Sequence, residues 1–258
     1  MSNDEMNKEF YIDDDGVRLH AKLDMPVNYK DGDKCPLVIV IHGLTGHMEE
    51  RHITAVSGLF NSLGAASMRV EMYGHGKSGG DFERHNILKW LNNGMTLINY
   101  AKQLDFVNGM YVCGHSMGGL TALLLAGMEP DVLRAAILLS PGTILPYWAR
   151  EGHMFGESFD PCAISDIFYV NDTQKVSGDY IRAAQLIDED NAIKRFNNPV
   201  LIVHADMDEA IPVSYSYDLA GKYRNARFVM IKGDDHCYDH HLDQVLEAVS
   251  QFMREQLG

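Results

Sequence analysis

Apolar residues along this chain fall into short unbroken runs separated by amphipathic stretches. The runs at 36–42, 65–71, 110–113, 135–140, 200–204 and 228–231 lack polar alternation, the pattern of parallel strands covered on both faces. Ahead of them, 9–23 turns at Asp14-Asp15-Gly16 and predicts a hairpin. Helical periodicity fills 50–63, 87–104, 120–128, 214–222 and 242–256. Such alternation predicts an α/β fold with a mostly parallel, doubly wound sheet.

One stretch breaks the rhythm. From 141 to about 198 there is no clear strand–helix unit, and aromatic residues gather, from Tyr147 and Trp148 to Phe168, Tyr169 and Tyr180. Long irregular segments inside a compact domain are usually functional. The expectation is a single domain over 1–258 with a cap inserted at about 141–198, holding a helical piece near 180–188.

Composition narrows the partners. With 22 Lys+Arg against 36 Asp+Glu the net charge is −14, which argues against nucleic acid and anionic membranes. The start of the chain, 1–9, is polar and acidic rather than basic-then-apolar, so it does not read as a secretory signal, and no apolar run approaches a bilayer span. Cys35, Cys113, Cys162 and Cys237 show no short paired spacing, and the first two read as core thiols. A reduced, cytoplasmic protein is expected.

The chemistry lies in Gly114-His115-Ser116-Met117-Gly118, between a strand-like and a helix-like run. A serine between glycines at a strand-to-helix turn is a nucleophile elbow: the tight turn lifts the hydroxyl clear of the sheet. Acyl transfer at Ser116 needs a base, a carboxylate to orient it, and donors for the oxyanion. Asp208 follows the 200–204 strand and precedes Ile211-Pro212; Asp206 and Glu209 are its rivals. His236 lies in the turn after the last strand, as the base should, with His240 and His241 close behind. The His236/His240 spacing also suits a metal, but no third ligand set is evident, so neither metal nor cofactor is expected. The backbone N–H groups of Met117 and of Leu44, in the turn His42-Gly43-Leu44-Thr45-Gly46, are the expected oxyanion donors. His42 itself reads as a structural hydrogen-bonder.

These residues in this order resemble the bacterial feruloyl (cinnamoyl) esterases of the α/β-hydrolase superfamily. The likeness rests on the His42–Gly46 turn, Tyr73-Gly74-His75-Gly76-Lys77-Ser78, the Ser116 elbow, Asp208-Glu209-Ala210-Ile211-Pro212 and Gly233-Asp234-Asp235-His236-Cys237-Tyr238. It extends into the cap through Phe159-Asp160-Pro161 and Gly178-Asp179-Tyr180-Ile181-Arg182. Glu71 stands where the family usually has Asp, at a position read as structural.

The resemblance implies an α/β-hydrolase fold and a serine esterase that cleaves hydroxycinnamoyl esters through an acyl-enzyme. Ile144, Tyr147 and Trp148 make the cap rather apolar for such a ring, and Tyr180 offers a polar contact. Tyr147, Trp148 and Tyr180 are therefore the expected substrate-binding residues. A general carboxylesterase or monoacylglycerol lipase on the same triad is the nearest alternative, and a non-catalytic ligand-binding protein a more distant one. The expected partners are a small-molecule ester and, at most, a second copy of the chain.

Overall fold

The computed structural model describes residues 7–258; the first part of the polar N-terminal stretch lies outside the described residues. The alternating opening segment folds into β1 (Asn7–Asp14) and β2 (Val17–Asp24), paired antiparallel with Asp14 opposite Val17. Asp15 and Gly16 between them both have positive φ, 49° and 83°, as a two-residue turn matching strand twist requires.

The unbroken apolar runs become β3 (Cys35–Ile41), β4 (Ala66–Val70), β5 (Val107–His115) and β6 (Leu133–Leu139). Residues between β6 and 199 form two small antiparallel ribbons, β7 (His153–Met154) with β8 (Glu157–Ser158) and β9 (Ile167–Tyr169) with β10 (Lys175–Ser177). β11 (Val200–Ala205) and β12 (Ala226–Ile231) complete an eight-stranded sheet ordered β1-β2-β4-β3-β5-β6-β11-β12. From β4 to β12 all its pairings are parallel. The register of β3 against β5 shifts between Cys35 and Leu37, where Pro36 has no N–H to give the ladder.

Burial on both faces explains the missing alternation. Leu37, Ile39 and Ile41 enter one core while Val38 and Val40 enter the other. The major helices are α1 (Arg51–Ser62), α2 (Ile87–Ala101) and α3 (Met117–Met128). Between β6 and β11 come α4 (Leu145–Glu151), α5 (Asp179–Gln185) and α6 (Glu189–Arg195). After β11 follow α7 (Val213–Lys222) and α8 (Leu242–Leu257). α3 is apolar all round, and every residue but the last is buried, because the sheet, α2 and α6 surround it.

The helical piece expected near 180–188 is α5, which ends at Gln185, and a second helix, α6, begins just after that range at Glu189. Asp188 accepts the N–H of Asn191 and caps α6, so the chain restarts there instead of continuing α5.

Candidate active site

The elbow is built by close backbone approach. A side chain at Gly118 would collide with the main-chain oxygens of Ile41 and His42, and one at Gly114 with that of Gly118. Between them Ser116 takes φ 54° and ψ −120°, a left-handed conformation rare for a residue with a Cβ. It is pinned there by Ser116 N–H to Leu139 O at 2.9 Å and by Gly142 N–H to Ser116 O at 2.8 Å.

Asp208 enters from the end of β11 with its side chain fully buried. Its Oδ2 accepts from His236 Nδ1 at 2.6 Å, and its Oδ1 from the N–H groups of Ala210 (2.9 Å) and Ile211 (2.7 Å). Burial alone would raise this carboxyl; hydrogen bonds from His204, His236 and Ile211 outweigh it and hold the group well below the carboxylate range. The rivals are placed elsewhere. Asp206 is exposed and accepts the N–H of Gly233 at 2.7 Å, while Glu209 is exposed on the cavity wall.

His236 donates a hydrogen bond from Nδ1–H to Asp208, which leaves Nε2 as the lone-pair nitrogen. Its loop is tied from below by Asp234, a buried carboxylate that accepts the N–H groups of Asp235, His240 and His241. His240 is exposed and lies 3.5 Å from Asp235, so the helical spacing His236/His240 does not converge. Ligand atoms of Asp234, Asp235 and His240 do gather within 4.8 Å, but the carboxylate of Asp234 is already spent on amides. Cys237, next to the base, is no rival nucleophile: burial, then nearby acids, raise its thiol to about 12.

Leu44, Met117, Ser116 and His236 all line one cavity of about 440 Å³. Neither the Leu44 nor the Met117 N–H donates to a main-chain or side-chain acceptor among the described residues. His42 fixes the Leu44 turn: its Nδ1–H donates to Gly43 O at 2.7 Å and its Nε2 accepts the N–H of Met72 at 3.1 Å. Burial and the neighbouring His75 lower its pKa to about 3, so the ring is neutral and structural. Glu71 is structural too, accepting from His20 and from the N–H of Lys77.

The remaining cavity wall is mostly apolar, with Leu145, Trp148, Met154, Phe155, Val170 and Ile211, and polar at Thr45, His153 and Asn171. Trp148, one of the residues expected to bind substrate, lines the cavity. Tyr147 does not: one residue earlier on α4, it points outward and is 47% exposed. Tyr180 is 2% exposed and sits behind the wall, against Phe155 and His85, its hydroxyl donating to Met117 Sδ at 3.6 Å. Met154, Val170 and Asn171 escaped sequence reasoning because the ribbons that present them are too short to have a period. His204, beside Asp208, escaped as a histidine at the end of an apolar run, and His115, which ties the His236 loop, as the variable second position of the elbow motif.

The family model for serine aminopeptidase S33 hydrolases matches residues 32–156. A solved structure of Est1E from Butyrivibrio proteoclasticus with ferulic acid bound is 50% identical, covering 96% of this chain and 98% of that one, with a TM-score of 0.93. A second Est1E structure from the same organism is 47% identical over the same shares, with a TM-score of 0.90. Alpha/beta hydrolase domain-containing protein 10 from mouse, 17% identical over 96% of this chain and 99% of that one, shares the fold at a TM-score of 0.74. No curated protein matches the chain. By its likeness to Est1E over nearly its whole length, the chain belongs to the bacterial feruloyl (cinnamoyl) esterase family, serine ester hydrolases of the α/β-hydrolase superfamily.

Proposed function

We propose that Ser116, His236 and Asp208 cleave hydroxycinnamoyl esters through an acyl-enzyme, with residues 141–198 acting as a cap over the acyl group. Ser116 Oγ attacks the ester carbonyl while His236 Nε2 takes its proton, and Asp208 holds the imidazole and stabilises its cation. The N–H groups of Leu44 and Met117 receive the oxyanion, a contribution of about 3 kcal/mol per donor to the transition state. His236 then protonates the leaving alcohol, and water repeats the sequence on the acyl-enzyme.

The observation that carries this reading is the single cavity where Ser116 and His236 meet Trp148, Phe155 and Val170. Its volume suits a small aromatic acyl group. Est1E, so similar over its whole length, has been solved with ferulic acid bound. Thr45, His153, Asn171 and Glu209 are the polar side chains of the wall available to a phenolic hydroxyl. Among the described residues no helix is long and apolar enough to cross a membrane. The four free cysteines support a cytoplasmic setting, and light scattering on the purified chain tests for a homodimer.

Initial rates on methyl ferulate, methyl p-coumarate, p-nitrophenyl butyrate and a monoacylglycerol test the substrate, with Ser116→Ala as the blank. Higher kcat/KM on the hydroxycinnamates supports the reading. Higher values on the alkyl esters would make the chain a general carboxylesterase.

A further inference from the structure

Two imidazoles share the oxygen that orients the base. Asp208 Oδ2 lies 2.6 Å from His236 Nδ1 and 3.0 Å from His204 Nε2. His204 is the penultimate residue of β11 and has no exposed surface. Its Nε2 also faces the main-chain oxygen of Ile211 at 2.9 Å. Both of these neighbours are acceptors, so Nε2 carries a proton. On the other side of the ring, Nδ1 lies 2.6 Å from Oγ of Ser216, buried on α7. That hydroxyl has no other partner among the described residues. It donates to Nδ1 and thereby leaves the ring proton on Nε2.

We propose that His204 is a positioning residue for the reaction: its ring, hydrogen-bonded through Nε2–H to Ile211 O, stands 3.0 Å from Asp208 Oδ2, keeps that oxygen in line with His236 and takes a share of its charge. The proposal rests on the reading of Asp208 as the acid of the triad. The Ala210 and Ile211 amides already fix Oδ1, so the two rings between them decide where Oδ2 points. Without His204 the carboxylate can turn about its last torsion, and the charge on Oδ2 falls wholly on His236. That stabilises the imidazolium of His236, and a base that stays protonated longer moves the acid limb of the kcat/KM–pH profile upward. The other titratable groups that feel Asp208 or His236 are His115 on β5, Tyr238 in the base loop, and Glu50 and His52 at the start of α1; these substitutions leave them in place.

The test uses the full chain with methyl ferulate and four variants, His204→Leu, His204→Gln, Ser216→Ala and Asp208→Asn. His204→Leu should lower kcat roughly 10- to 100-fold, the usual scale for a lost supporting hydrogen bond, leave KM unchanged, and raise the acid limb by about half a pH unit or more. His204→Gln, whose amide N–H can stand where Nε2 does, should recover most of kcat and return the limb. Ser216→Ala keeps the ring and releases its tautomer, giving a smaller change in the same direction. A limb that stays in place in both His204→Leu and Ser216→Ala, with only Tm lowered, would overturn the proposal. Should His204→Leu fail to fold, Ser216→Ala decides by itself. Asp208→Asn with near-native rates would sink the triad reading itself, whereas an inactive Asp208→Asn beside an unaffected His204→Leu would sink only the role of His204.

Discussion

His115 Nε2–H donates to the main-chain oxygen of His236 at 2.8 Å, so the residue before the nucleophile holds the loop that carries the base. The two rings lie 4.7 Å apart, and burial, with the neighbouring His52 and His236, keeps His115 neutral. Elbow and base loop come from strands that are not neighbours in the sheet, β5 and β12. This bond is a direct tie between them.

His115→Leu removes the tie while keeping the bulk. The carbonyl of His236 then loses its donor, at a cost of about 1–3 kcal/mol, and the base loses one of its anchors. The expected result is a Tm several degrees lower and kcat down about tenfold, with KM on methyl ferulate little changed. Steady-state kinetics beside a thermal melt checks it. An unaltered kcat would show that the loop's ties to Asp206, Asp208 and Asp234 hold it without His115.

Trp148 and Tyr147 are adjacent in sequence and opposite in role. The helical period turns Trp148 into the cavity and Tyr147 into solvent. Trp148→Ala should therefore lower kcat/KM on hydroxycinnamates by about tenfold or more, the scale of 1–3 kcal/mol for lost pocket contact, and less on butyrate esters. Tyr147→Ala should change neither. Tyr180→Phe loses only a weak bond to sulfur and should keep wild-type preference. A substrate panel run on the three variants side by side decides; equal losses at 147 and 148 would mean the cavity is drawn wrongly.

That contrast shows where sequence reasoning succeeds and where it stops. The runs at 36–42 and 200–204 were legible because strands covered on both faces have no polar positions to interrupt them. Ser116, Asp208 and His236 were legible because each follows such a run, and chain order supplied the rest. The lining of the cavity was not. An aromatic cluster between 147 and 180 announces a core or a pocket, but facing is decided by helices of seven residues and ribbons of two or three. His204 was hidden by its setting, since a histidine inside Val-Leu-Ile-Val-His-Ala reads as filler until Asp208, four residues on, is found against its ring.

Five of the buried histidines make stability depend on pH. Burial lowers His42 and His85 to about 3 and His52 to about 4, from 6.5, with nearby histidines adding to it, and His75 and His115 move the same way. In the unfolded chain these rings take up protons near 6.5, whereas in the folded chain they resist. Below 6.5 the unfolded state thus binds more protons, and stability falls as pH falls, by about 1.4 kcal/mol per pH unit for each ring inside its window. Glu50 and Glu189, raised by burial, act in the opposite sense and favour the folded state less as pH rises past 4.5. The histidines outnumber them, so Tm should drop steeply between pH 6.5 and pH 4.5 and be nearly flat from 7 to 8. Melts across that range check it, and a flat profile down to pH 5 would mean that the rings are solvated.

The elbow should store measurable strain. Ser116 has a Cβ at φ 54° and ψ −120°, a backbone state that costs a residue other than glycine about 1–3 kcal/mol. Ser116→Ala and Ser116→Gly both remove the nucleophile and should both be inactive on methyl ferulate. They differ only in the Cβ that the turn must tolerate. Glycine returns about 0.5–1 kcal/mol of the gain through the greater freedom of its unfolded chain, leaving a net advantage of about 0.5–2 kcal/mol. At about 2–4 °C per kcal/mol for a chain of this size, Ser116→Gly should melt a few degrees above Ser116→Ala. Equal melting temperatures would mean that the turn holds the serine without strain, and that its exposure at the cavity follows from the collisions around Gly114 and Gly118 alone.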